Sequence, residues 1–133
     1  MFDHETVESF LRRLFHGGPI RRMPRKKEDA DVLMALTLVA LDSERSYDES
    51  DINAHLSAWL EDIASEVDLD HVTLRRFLVD AGFLRRASDG VIYRVEAERI
   101  DRVLSPEAKA VDPKAIHAEI LFAREERARS FRR

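Results

Sequence analysis

The residues best able to do chemistry in this 133-residue chain are its histidines, its carboxylates and its arginines. Histidines 4, 16, 55, 71 and 117 lie far apart, and no two share the i, i+4 spacing that puts a ligand pair on one helix face. The best metal-ligand group is Asp68, Asp70 and His71, with His55 brought near by folding. Both aspartates also stand where a helix cap is needed, and capping is the simpler reading. The chain has no cysteine, which excludes disulfides, thiolate metal sites and thiol nucleophiles. No G-x-S-x-G elbow presents a serine, and Gly17-Gly18 runs into Pro19 rather than the Lys-Ser/Thr of a phosphate-binding loop. The remaining carboxylates are accounted for as helix caps and solvated faces. The expectation is a protein that is not an enzyme and needs no cofactor or metal.

The arginines are more informative. A guanidinium is a planar fork that bonds a guanine edge or a phosphate through two parallel hydrogen bonds. Arg75 and Arg76 lie together in an amphipathic stretch, Arg85, Arg86 and Arg94 surround a turn signal, and Arg21, Arg22, Arg25, Lys26 and Lys27 form the densest basic run. Each group also has a plainer reading. Arg76 and Asp80 are spaced i, i+4 for a surface ion pair, arginines keep an exposed hairpin edge soluble, and charge runs are commonly solvated linkers. Tyr93 has the chemistry to stack on a base, yet its place in an alternating strand favours the core.

Composition narrows the setting. Hydrophobic residues make up 44% and charged residues 36% of the chain, with a net charge of −4, so one domain with a real core and an ionic surface is expected. The longest apolar run, Val32 to Leu41, is far short of the ~20 residues that span a bilayer. The opening Met-Phe-Asp-His-Glu lacks a signal peptide's layout, and with the missing cysteines this gives a cytoplasmic expectation. The negative balance weighs mildly against non-specific nucleic-acid binding, but charge is segregated: between Asp31 and His71 the single Lys or Arg is Arg45.

The elements that must position these residues follow from periodicity and caps. Asp3 caps a first helix with Val7, Phe10, Leu11 and Leu14 on one side, stopped by Gly17-Gly18-Pro19. Ile20 to Lys27 reads as an extended basic connector. A second helix, about Glu28 to Asp42, is apolar nearly all round and belongs at the centre. Ser43 to Tyr47 reads as a turn. Asp48, with Asp51 three residues on, caps a third helix whose stripe is Ile52, Leu56, Trp59, Leu60 and Ile63. Asp68 or Asp70 caps a fourth, with Leu74, Phe77, Leu78 and Ala81 inward and Gly82 as its stop. Two short strands flank Ser88-Asp89-Gly90, and Val91, Tyr93 and Val95 alternate on the second. A short helix follows with Ile100, Val103 and Leu104. Pro113 opens a last one with Ile116, Ile120 and Leu121 on one side, ending in charge through Arg133.

Three helices followed directly by a β-hairpin is the winged helix-turn-helix arrangement. The predicted fold is therefore mostly α with a minor β part: an N-terminal helix and connector over 1–22, a winged-helix-like domain over 23–95 and a C-terminal helical extension over 96–133.

Particular stretches resemble a bacterial family, the domain of unknown function 2087. They are Met23-Pro24-Arg25-Lys26-Lys27, Tyr47-x5-Asn53, the run Asp70 to Leu84 and Asp89-Gly90-x2-Tyr93; Leu-Arg-Arg-x-Leu-Val-Asp-x-Gly is the most specific part. The likeness covers roughly Pro24 to Val95. It implies kinship with winged-helix transcriptional regulators and carries over no catalytic or ligand residue. Between Asn53 and Asp70 the chain exceeds the family pattern by about two helical turns, which predicts a lengthened third helix through Ala58-Trp59-Leu60-Glu61-Asp62-Ile63. The functional expectation is a DNA-binding regulator or accessory protein. It contacts double-stranded DNA through Arg75, Arg76, Arg85, Arg86 and Arg94, aided by Arg21, Arg22, Arg25, Lys26 and Lys27, and forms a homodimer through the last helix. The alternative is a protein-interaction module on the same scaffold, marked by an exposed apolar patch at Trp59 or at Ile116, Ile120 and Leu121.

Overall fold

Every residue from Ala30 to Leu38 is buried, Asp31 and Thr37 included, so the all-round apolar helix does lie at the centre of the molecule. The computed structural model describes residues 1–65, 67–87, 89 and 92–132. In chain order it has α1 (His4–Leu14), a 3₁₀ turn (Phe15–Gly17), α2 (Lys27–Leu38), β1 (Tyr47–Asp48), α3 (Glu49–Leu60) and α4 (His71–Asp80). Strands β2 (Leu84–Arg86) and β3 (Ile92–Val95) follow, then α5 (Ala97–Asp101), a 3₁₀ turn (Ala108–Ala110) and α6 (Pro113–Phe131). The chain is mostly helical with a small three-stranded antiparallel sheet of order β1-β3-β2.

Local chemistry explains where the elements start. Asp3, Asp48 and Asp70 each sit in extended backbone and accept from the amide three residues on, at 2.8, 2.7 and 2.8 Å. Each satisfies an N–H that the first helical turn leaves without a partner. Pro113 occupies the first turn of α6, where its missing N–H costs nothing.

Four features depart from the sequence reading. Helix α2 ends at Leu38, ahead of the Asp42 expected. The expected turn forms at Ser43 and Glu44, but Tyr47 at its far end opens a strand, β1, which pairs Tyr47 with Tyr93 and Asp48 with Ile92. The third helix does not run through Ile63: α3 takes in Ala58 and Trp59 but stops at Leu60, and Asp62 takes a left-handed conformation at φ 69°. Ile63 beyond it still buries, at 1% exposure, because the turn folds it back onto the core. Phe77, expected in the inward stripe of α4, is 41% exposed. The Ser88-Asp89-Gly90 turn, Val91 and the terminal Arg133 involve positions outside the described residues.

One core runs through the whole chain. Val7, Phe10 and Leu11 of α1, Leu33 and Leu38 of α2, Ile52 and Leu56 of α3, Leu74 and Leu78 of α4, Tyr93 and Val95 of β3, and Ile116 of α6 belong to it. The chain ends are tied as well. Phe2 pairs in parallel with Leu104, and Arg12 bridges Glu8 and Glu119 at 2.9 and 2.8 Å, holding α1 against α6. No helix among the described residues is long and apolar enough to cross a membrane.

Candidate functional site

Helix α4 and the β2–β3 hairpin hold the sequence-selected arginines, and their junction is closely determined. Beyond Asp80 the Gly82 N–H bonds Val79 O at 3.1 Å and the Phe83 N–H bonds Leu78 O at 2.9 Å. This double closure requires a left-handed residue, and Gly82 supplies it at φ 82°. Phe83, fully buried, anchors the turn, and β2 starts at the next residue. Any side chain at position 82 would strain the link between helix and hairpin. At the other end, the Thr73 amide bonded to Asp70 holds that carboxyl below its usual range.

Arg75 and Arg76 part company. Arg75, its side chain 15% exposed, turns onto α3, where it bonds Asn53 Oδ1 and reaches Glu49 Oε1 at 3.1 Å. It ties α3 to α4 and does not extend outward. Arg76 is exposed, and the ion pair its spacing to Asp80 suggested does not form. Leu74 and Leu78 face the core, so α4 turns Arg76 and Asp80 to solvent, with Phe77 at the edge of that face.

On the hairpin, register decides which cations meet. Arg85 lies directly opposite Arg94, between the buried pair Leu84–Val95 and the pair Arg86–Tyr93. Alternation therefore puts Arg85 and Arg94 side by side on the outer face, an arrangement that like charges disfavour. Arg85 also reaches Glu96 Oε1 at 3.2 Å, which offsets part of that repulsion. Arg86 and Arg94 have no carboxylate partner among the described residues. All three arginines line one shallow cleft of about 340 Å³ with Ala87 and Ile92. Ile92 itself is 39% exposed, an apolar contact amid the charge. Tyr93, 2% exposed, is core, as its alternation indicated.

The basic connector is not a loose arm. The Ile20 N–H bonds Ile63 O and the Ser65 N–H bonds Ile20 O, both at 2.8 Å, while Ile20 and Met23 bury their side chains. Arg21, Arg22, Arg25, Lys26 and Lys27 all remain exposed. Lys27 reaches Asp31 at 3.1 Å; the other four have no carboxylate partner among the described residues. Arg21, Arg22 and Arg25 line a second cleft with Leu14, Gly17, Pro19 and Pro24.

The residues weighed as metal ligands have other tasks. Asp70 caps α4, Asp68 Oδ2 accepts from the Ser65 hydroxyl at 3.1 Å, and His55 Nε2 lies 2.6 Å from Thr37 O. No group of three or more potential ligands comes together among the described residues.

A residue that sequence reasoning passed over organises the site from behind. Arg99 of α5 reaches Asp31 at 3.2 Å, donates to Ala81 O at 3.1 Å and lies 4.2 Å over the Phe83 ring. It thereby locks α2 to the α4–β2 turn. No local signal marked it, since its hydrogen-bond partners lie 18 and 68 positions away.

Neither a curated protein nor a solved structure matches the chain. Over residues 19–95, from the pinned connector to the end of β3, the sequence does match one family pattern, described as an uncharacterised protein conserved in bacteria. That match spans more than half of the sequence, and the chain belongs to this bacterial family, DUF2087.

Proposed function

We propose that the segment from α2 to β3 is a winged helix-turn-helix that binds double-stranded DNA in a regulatory or accessory role, with α4 facing the groove and the hairpin lying on the backbone. The element order supports this reading: helix, strand, helix, helix and hairpin, with the early strand β1 completing the wing sheet. A helix carried outward by a tight α3–α4 pair and followed at once by a hairpin is the geometry that presents one element to bases and the other to phosphates. The observation that carries the proposal is the set of unneutralised guanidiniums. Acidic residues outnumber Lys and Arg by 26 to 22, yet Arg76, Arg86 and Arg94 meet no carboxylate among the described residues. Arg75 drops out of the contact set, because its work is to hold α4 on α3.

The test is duplex binding by the full chain across a salt series. Affinity is expected to fall steeply as salt rises, with a slope of roughly 0.9 per phosphate neutralised. Exchanging Arg86 and Arg94 for glutamine is expected to lower both affinity and slope. A folded wild-type chain that binds no duplex at low salt ends the proposal.

A second reading, a protein-interaction module, draws on α6. Its first half packs on α1, whereas Leu121, Phe122 and Phe131 are 43%, 63% and 93% exposed. Trp59 and Ile116 are not its patch, since Trp59 packs partly on the core and Ile116 is buried. The same exposed residues are where a homodimer would form. Sedimentation of the wild type beside a Phe122→Ser, Phe131→Ser variant separates self-association from a monomer awaiting another partner.

A further inference from the structure

We propose that the connector from Ile20 to Arg25 is a fixed phosphate-binding ridge, placed so that it and the hairpin hold one DNA duplex on either side of α4. The inference rests on the DNA-binding reading and adds a second grip to it.

Three observations carry it. First, the backbone at Ile20 is bonded on both sides to the 63–65 segment, and Ile20 and Met23 are buried, so the cations between and beyond them stand on anchored chain. Binding then loses little conformational entropy, unlike capture by a disordered arm. Second, Arg21, Arg22 and Arg25 are exposed, line one cleft and meet no carboxylate among the described residues. In a chain with excess acid, unpaired cations clustered on rigid backbone form a site for a polyanion, and phosphates fit an arginine fork. Third, the anchor at Ala64 and Ser65 belongs to the segment leading into α4, whereas the hairpin leaves from the opposite end of α4 after Gly82. Helix α4 has ten residues, so about 15 Å of axis separates its two ends. That span is comparable to the width of a major groove, about 12 Å. A helix facing that groove would thus have one cationic cluster near each flanking phosphate strand.

The experiment compares salt dependence for the wild type, an Arg21→Gln, Arg22→Gln, Arg25→Gln variant, an Arg86→Gln, Arg94→Gln variant and a variant combining both sets, all as full chains on a mixed-sequence duplex of about 20 base pairs. These side chains are exposed, and matching thermal melts confirm that the variants fold. The connector variant is expected to lower the salt slope by about 2 to 3, the hairpin variant by about 2, and the combined variant by their sum. On progressively shorter duplexes, the connector effect is expected to disappear before all binding does. A connector variant with wild-type slope and affinity overturns the ridge while leaving α4 and the hairpin standing. Absence of binding by the wild type overturns the underlying reading itself.

Discussion

Replacing Arg75 and, separately, Arg76 with alanine tests whether these adjacent arginines do different work. Arg75 bonds Asn53 and reaches the half-exposed Glu49, with its own side chain 15% exposed. A hydrogen bond to a charged group contributes roughly 1.5–3 kcal/mol. The Glu49 pair, screened by solvent, adds no more than about 0.5 kcal/mol. Removing Arg75 is therefore expected to cost about 2 kcal/mol. At about 4 °C per kcal/mol for a chain of this size, the Tm drops by about 8 °C. Arg76 has no such partner among the described residues, and its removal is expected to change stability by less than about 0.5 kcal/mol. Circular dichroism melts read the first effect, and fluorescence anisotropy of a labelled duplex reads the second. Arg75→Ala is expected to melt early but, below its Tm, keep the wild-type salt slope; Arg76→Ala is expected to melt normally and bind DNA more weakly. An Arg75→Ala protein that melts like the wild type and loses DNA affinity as Arg76→Ala does would refute the division.

Three further outcomes follow from the same contacts. Asp70→Ala is expected to lower the Tm at neutral pH, and the gap to wild type closes on acidification. The folded-state pKa of Asp70 lies below its unfolded value, so its contribution is present above the unfolded pKa and fades as pH falls through the folded one; melts from pH 7 to pH 2 check this. Arg99→Ala, which strips a mostly buried partner from Asp31 and frees the α4–β2 turn, is expected to cost about 3 kcal/mol in a urea titration. It is also expected to speed amide exchange at Phe83 and Leu84. Gly82→Ala is expected to cost about 1 kcal/mol or more because of its left-handed backbone, although open space surrounds the added methyl; the same titration measures it.

How legible these features were depends on the range of the forces behind them. Capping at Asp3, Asp48 and Asp70 depends on the next three residues, and sequence reveals it directly. The buried core of α2 and the inward Tyr93 are likewise written in local periodicity. Strand β1 was hidden because two residues carry no alternation; it exists through its partner β3, more than forty positions away. The 61–63 segment looked helical because Ile63 keeps a helical spacing with Trp59 and Leu60, which do lie in α3. A left-handed Asp62 lets a turn bury Ile63 instead. Within the candidate site, residue type identified the arginines, but orientation required neighbours. Arg75 and Arg76 are indistinguishable in sequence until Asn53 and Glu49 arrive from α3. The connector read equally well as arm or linker, because its anchors at 63–65 are distant in the chain. Arg99 gave no sign at all.

An amide-resolved NMR titration of the full chain with a duplex at low salt tests DNA binding residue by residue. Shift changes are expected to concentrate on 72–80 of α4, on β2 and β3, and on 20–25 of the connector, and added salt is expected to reverse them. Changes confined to α6, or a spectrum indifferent to the duplex, would contradict this expectation.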